Sequence, residues 1–200
     1  MDGSRVDAAF GFVAGDVALD FVNTVHWRLD PDRALDALED YGRFVTWAGI
    51  AGIVSEKEAV LLAGLADASP NAAGAALGDV VELRESLAEV LSGRADASGE
   101  LASAYQRAAR HGTLRQTDAG WAWTDAEFDL RTPLDRLARA AVGMLTTSSV
   151  STIGQCRDVA CGWFFLDTSP RRNRRWCSAT GCGDRNRARN YYRRHQPASN

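Results

Sequence analysis

Apolar residues recur at helical spacing through most of the first 150 positions. Asp16 precedes Leu19, Phe21, Val22 and Val25, which predicts an N-capped helix over 17–26 that buries those four residues. Asp20, Asn23 and Thr24 then share its polar face. A second helix is expected over 38–48, stopping at Gly49, and a third opens on the Ser55/Glu58 capping box and ends before Pro70. Further helices are predicted over 71–91 and from Ser98 to Gly112. The period then changes. Thr113–Gln116 and Trp121–Thr124, joined through Asp118-Ala119-Gly120, read as a β-hairpin. Thr132-Pro133-Leu134-Asp135 reads as a helix start with Thr132 as N-cap, and that helix should run to about Leu145. The polar segment 146–152 lacks proline and is expected to continue as a short helix. Beyond it, Gly162–Leu166 is a short aromatic strand that ends in the turn Asp167-Thr168-Ser169-Pro170, and a last helix spans 184–196, closed by Pro197.

The expected fold is mainly α: a multihelical N-terminal domain with a small β-hairpin over residues 1–152, then a C-terminal finger of short hairpin plus helix over residues 153–200. Two hundred residues with 46% hydrophobic and 24% charged side chains are ordinary globular values, which excludes wholesale disorder and fibrous classes. No apolar run approaches a membrane span, and Met1-Asp2-Gly3-Ser4-Arg5 leads into no export signal. A cytoplasmic protein without membrane association is expected.

Net charge changes the picture once it is divided. The chain carries −3 overall, yet residues 151–200 hold ten arginines against Asp158, Asp167 and Asp184, a local balance of +7. The first 150 residues therefore carry −10. An acidic body joined to a basic appendage suggests an anionic partner for the appendage.

All four cysteines lie in that basic segment: Cys156 and Cys161, then fifteen residues, then Cys177 and Cys182. Two C-x4-C pairs can close a tetrahedral thiolate site, which Zn(II) prefers, and four protein ligands leave no position for substrate, so the metal would be structural. Two disulfides or four free thiols are the alternatives. The chain shows no sign of an oxidising destination that would favour disulfides. A module of some forty residues is too small to be held by its apolar core alone, and metal binding would supply much of its folding free energy.

Between and after the cysteine pairs lie Arg171, Arg172, Arg174 and Arg175, and then Arg185, Arg187, Arg189, Arg193 and Arg194. On a helix the second group forms two stripes, at 185/189/193 and 187/194, a surface suited to a phosphate backbone and to bidentate contacts with guanine. Docking on the acidic body, or a merely solvated face, are the other readings. Tyr191 and Tyr192 could stack on unpaired bases, which keeps an RNA-binding reading open.

The acidic body shows no Walker loop, no nucleophile elbow and no H-E-x-x-H, and the chain has three histidines, widely spaced; no enzyme is expected and no catalytic residue is assigned. Its one polar constellation at helical spacing is Asp20, Asn23, Thr24 and Trp27, with His26 nearby. These residues read as caps of neighbouring loops, as a pocket for a small-molecule effector, or as contacts to the finger's arginines, with Asp20 near Arg185.

The stretch Cys156–His195, with C-G-W-x-F-L-D-T-S at 161–169, R-R-W-C-S at 174–178 and C-G-D-R at 182–185, resembles a CGNR zinc finger, with Asp184 where that signature has Asn. Ala-Leu-Asp-Phe-Val-Asn-Thr at 18–24 resembles the ABATE domain that accompanies this finger in bacterial proteins described as stress-induced transcription regulators. The resemblance implies a helical N-terminal domain, a zinc-binding finger and a DNA partner. It also puts a direct phosphate contact by residue 184 in doubt, since Asp adds a negative charge. A single finger reads few base pairs, so a homodimer or an additional DNA contact is expected.

Overall fold

The computed structural model describes residues 10–94, 98–118 and 120–195; the expectations at Ala119 and Pro197 lie outside them. In chain order the elements are α1 (Val17–Val22), β1 (Val25–His26), β2 (Leu35–Asp36), α2 (Tyr41–Ile50), α3 (Glu56–Ala68), α4 (Pro70–Leu91), α5 (Ser98–Arg110), β3 (Gly112–Thr117), β4 (Gly120–Asp125), α6 (Thr132–Leu145), β5 (Ile153–Gln155), β6 (Phe164–Leu166) and α7 (Asp184–His195). Among the described residues, strands pair only as antiparallel hairpins, β1 with β2, β3 with β4 and β5 with β6. The fold is mainly helical, as the periodicity implies.

Two compact units form, and they do not follow linear order. Residues 37–148 with Phe10 make one; residues 11–36 and 149–195 make the other. Compactness thus divides the chain differently from charge, which changes sign near residue 152.

In the first unit α2 to α6 close over Phe44, Trp47, Leu62, Val80, Leu87, Leu134 and Leu137, all nearly or fully buried. Local signals set the helix starts. Asp40 accepts from the Arg43 amide at 2.7 Å, so α2 begins at Tyr41 rather than at Leu38. Ser55 and Glu58 form the full reciprocal capping box of α3. At α6 the expectation fails in detail: Thr132 is already helical, and its hydroxyl accepts from the Asp129 amide at 2.9 Å, stapling the preceding turn instead of capping the helix.

Helix α6 also carries the polar tie of this unit. Arg136 reaches Glu58, Asp125 at 2.8 Å and the Ile53 carbonyl at 2.7 Å, so one guanidinium joins α6, the start of α3 and the end of β4. Hydrogen bonding from Arg136 holds the Glu58 carboxyl down at about 2. Arg139 bonds Asp125 and the Ala108 carbonyl and lies over the Trp123 ring.

In the second unit α1 is shorter than expected, ending at Val22 instead of reaching His26. Asp16 caps it as expected, accepting from the Ala18 amide at 2.8 Å. Its far end yields to a tertiary competitor: Asn23 exchanges both hydrogen bonds with the backbone of Phe164, and Val25–His26 pairs as a strand with Leu35–Asp36. The segment after α6 forms a single 3₁₀ turn, Ser148–Thr152, before β5.

Candidate metal centre and its basic surface

The site begins with chain segments that the sequence keeps far apart. β5 and β6 pair from Ile153 with Leu166 to Gln155 with Phe164, which places Cys156 and Cys161 in the loop between them. Asp158 shapes that loop: its carboxylate accepts from the Ala160 amide, and its carbonyl accepts from the Cys161 amide at 3.1 Å. Gly162 turns the chain back at φ +73°, where a Cβ would meet the Leu29 side chain at 2.9 Å. Cys177 and Cys182 bracket the turn that leads into α7. There the Ser178 hydroxyl accepts from the Gly181 amide, and a single π turn, Ala179–Gly183, precedes the helix.

These loops bring one sulfur from each of the four cysteines within 4.8 Å of one another, all four residues being buried. The Sγ separations are 3.7 Å for Cys161–Cys177 and 3.4 Å for Cys177–Cys182. A tetrahedron with metal–sulfur bonds of about 2.3 Å has edges of about 3.8 Å, so the donor set fits Zn(II). Hydrogen bonds from Cys161 and Cys177 drive Cys156 down to about 2, the bonds of Cys177 with Cys156 and then with Cys161 push Cys177 up, and Cys182 is raised chiefly by burial. Amides of Asp158 and Cys177 also face the Cys156 sulfur, and Arg185 donates to the Cys182 sulfur at 2.8 Å. Such donors offset thiolate charge, as outer partners of metal ligands commonly do. Cys156, Cys161, Cys177 and Cys182 form a structural zinc site; when bound, the ion supplies cross-linking of the two loops and offers no open coordination position.

Around the centre pack Phe165, Val13, Trp163 and Trp176. Further contacts come from residues 11–29. Asn23 Nδ2 donates to the Phe164 carbonyl at 2.9 Å while its Oδ1 accepts from the Phe164 amide at 2.8 Å. Trp163 donates to the Val25 carbonyl, and the Arg28 and Leu29 amides donate to the Cys161 and Ala160 carbonyls. On the other flank the Leu166 amide donates to Ala14 at 2.7 Å. Asp20 holds that flank in place by accepting from both the Val13 and Ala14 amides on one oxygen, and its carboxyl is raised by burial. The Thr24 hydroxyl donates to the Phe21 carbonyl. Of the three roles read for Asp20, Asn23 and Thr24, these bonds fill the structural one: Asn23 holds the finger's backbone at Phe164, Asp20 fixes the Val13–Ala14 segment that lies beside it, and Thr24 closes the end of α1. Asp20 does not meet Arg185, whose partners are Asp158, Cys182 and the Trp27 ring.

The nine predicted arginines separate into groups. Arg174 is internal: it donates to the carbonyls of Val13, Leu166, Trp176 and Cys177 and stacks on Phe165. Arg185 and Arg189 face Asp158, whose side chain is fully buried, and Asn186 donates to the same carboxylate at 2.9 Å. Arg187 pairs with Asp184. Arg171, Arg172, Arg175, Arg193 and Arg194 are exposed and carry no ion pair with a carboxylate among the described residues. Two functional residues escaped the sequence reading. Asp158 pins α7 to the first cysteine loop; its signal was a lone acid inside a C-x4-C loop followed by a run of arginines. Arg157 is exposed in that same loop and extends the basic surface.

Comparison with known families agrees with this construction. A model for the CGNR zinc finger matches residues 152–195, and the ABATE model, described as "Putative stress-induced transcription regulator", matches residues 15–148. No curated protein matches the chain. With four cysteines gathered for zinc and the two models in this order along the sequence, the chain belongs to the ABATE family and ends in a CGNR zinc finger.

Proposed function

We propose that this protein is a cytoplasmic, stress-responsive transcription regulator that binds duplex DNA through the arginines of its zinc unit, with no catalytic activity. The observation that carries the reading is the division among the arginines. Arg174, Arg185 and Arg189 are spent on the fold, while Arg157, Arg171, Arg172, Arg175, Arg193 and Arg194 stay exposed on a scaffold that zinc holds rigid. Exposed guanidinium groups in that number match a phosphate backbone, and helix α7 projects from the centre with an exposed surface. Asp184 pairs with Arg187, so that position offers DNA a neutralised pair. The family description supports a regulatory role in transcription.

The test is a mobility shift of zinc-loaded protein on sheared genomic DNA at low salt, with single-stranded RNA as competitor. Retarded DNA that resists excess RNA supports the reading. Exposed Tyr191 and Tyr192 favour the second reading, single-strand binding by base stacking, and complete displacement by RNA would establish that one instead.

A further inference from the structure

Helix α3 turns only one narrow stripe inward. Leu62 is fully buried, with Ala59 and Ala66 half-buried beside it. From Ala59 to Ala66 the helix carries no charge, yet Val60 is 69% exposed, Leu61 59% and Leu65 40%. Runs of exposed large apolar residues on a helix mark an interaction surface.

The outward stripe follows the helical repeat through Lys57, Val60, Leu61, Gly64, Asp67 and Ala68. Gly64 lies at its centre, and a Cβ there would meet nothing from its own chain, which leaves a notch. The two charges sit at opposite ends. An antiparallel copy of the same stripe, centred on position 62, sets Lys57 against Asp67 at both ends and Val60 against the Gly64 notch on both sides. The stripe is thus complementary to itself in charge and in shape, as a two-fold interface requires.

We propose that the exposed face of α3 is a homodimer interface, in which α3 packs antiparallel on α3 of a second copy with Lys57–Asp67 pairs at both ends. Its occupant is a second chain because the complementarity runs between the two ends of one stripe. The inference is independent of DNA binding. A dimer carries two fingers, which suits a reader of two half-sites.

Sedimentation velocity on the zinc-loaded full chain tests it, across a concentration series from low to high micromolar. Wild type is expected to sediment at twice 21.6 kDa. Leu61→Glu, at a site already exposed, and Gly64→Leu, which fills the notch, are expected to give monomers with unchanged far-UV circular dichroism. Two-fold symmetry counts each charge change twice, so Lys57→Asp should weaken the dimer about tenfold, and adding Asp67→Lys should restore it. A monomeric wild type across the series, or a dimer untouched by both Leu61→Glu and Gly64→Leu, would overturn the proposal. Failure of the charge exchange to rescue would overturn the antiparallel register. No single described helix is long and apolar enough to cross a membrane, but α3 and α4 together, bent by 120°, have the length and apolar composition to associate with one. Flotation of wild type, but not of Leu61→Glu, with anionic phospholipid vesicles alongside a monomeric wild type would assign the face to lipid instead.

Discussion

Replacing Asn23 separates a structural role for the N-terminal motif from a sensing role. Its amide makes a two-way bridge to Phe164, at 2.9 and 2.8 Å, in a site where Asn23 and Phe164 are each 2% exposed. Asn23→Ala leaves a buried N–H and a buried C=O without partners. Each orphaned group costs about 1–3 kcal/mol, so the expected loss is about 2–6 kcal/mol, a large part of the stability of a small unit. Because Phe164 lies three residues beyond Cys161, the strand that loosens is the one that presents a zinc ligand. Release of zinc to a colorimetric chelator should therefore accelerate together with the drop in urea midpoint. Asn23→Asp adds a sign. Its second oxygen would face the Phe164 carbonyl, acceptor against acceptor, so the carboxyl must be protonated to donate and its pKa is raised in the fold. A raised carboxyl favours the folded state below its unfolded value and loses that contribution as pH rises through the folded value. The deficit of Asn23→Asp relative to wild type should accordingly shrink from pH 8 to pH 6, whereas that of Asn23→Ala stays constant. A loss under about 1 kcal/mol for Asn23→Ala with unchanged zinc release would show that the Asn23–Phe164 bridge does not support the zinc site.

Arg174→Ala, which abandons four partly buried hydrogen bonds to carbonyls, should cost about 2–4 kcal/mol, while Arg171→Ala stays within about 0.5 kcal/mol; chemical denaturation of the two variants checks this. Asp158→Ala removes the anchor of Asn186, Arg185 and Arg189, so helical circular dichroism should fall and zinc be lost faster at pH 7.4, both measurable on one sample. A peptide of residues 149–200 alone should bind zinc more weakly than the same peptide mixed with residues 11–36, by competition titration, because the second peptide restores the partners of Phe164 and Trp163. Hydrogen bonding from Arg136 lowers Glu58 to about 2, so this pair stabilises the fold above the ordinary carboxyl value of 4.5 and its contribution drains away between pH 4.5 and 2; Glu58→Gln should flatten that part of the acid-denaturation curve.

What the sequence discloses here is mainly what neighbouring residues decide. The Ser55/Glu58 box, the Asp16 cap, the alternation around β3 and β4 and the cysteine spacing all act within a few positions, and each appears in the structure where it was expected. Two of the misses come from partners far along the chain, and the third from a neighbouring turn. Helix α1 stops four residues early because Asn23 finds a better partner 141 positions away, a competition that no local pattern records. Arg174 and Arg171 stand in the same short run, yet the Val13 carbonyl 161 positions away, with those of Leu166, Trp176 and Cys177, draws one inward and leaves the other in water. Thr132 has the composition of an N-cap, but the turn at Asp129 claims its hydroxyl first. The motif at 18–24 was visible as a motif; that it braces the finger became visible only with its partners in place.

The central claim is that zinc orders a surface of exposed arginines for DNA phosphates. It is tested most directly by fluorescence anisotropy of a labelled DNA duplex across a salt series, with wild type and a variant in which Arg171, Arg172, Arg193 and Arg194 are all alanine. Each phosphate contact contributes about −0.9 to the slope of log affinity against log salt, so the variant's slope should be shallower by about 3–4, and chelation of zinc should abolish binding. A slope unchanged by the four substitutions, or binding that survives complete removal of the metal, would contradict the account.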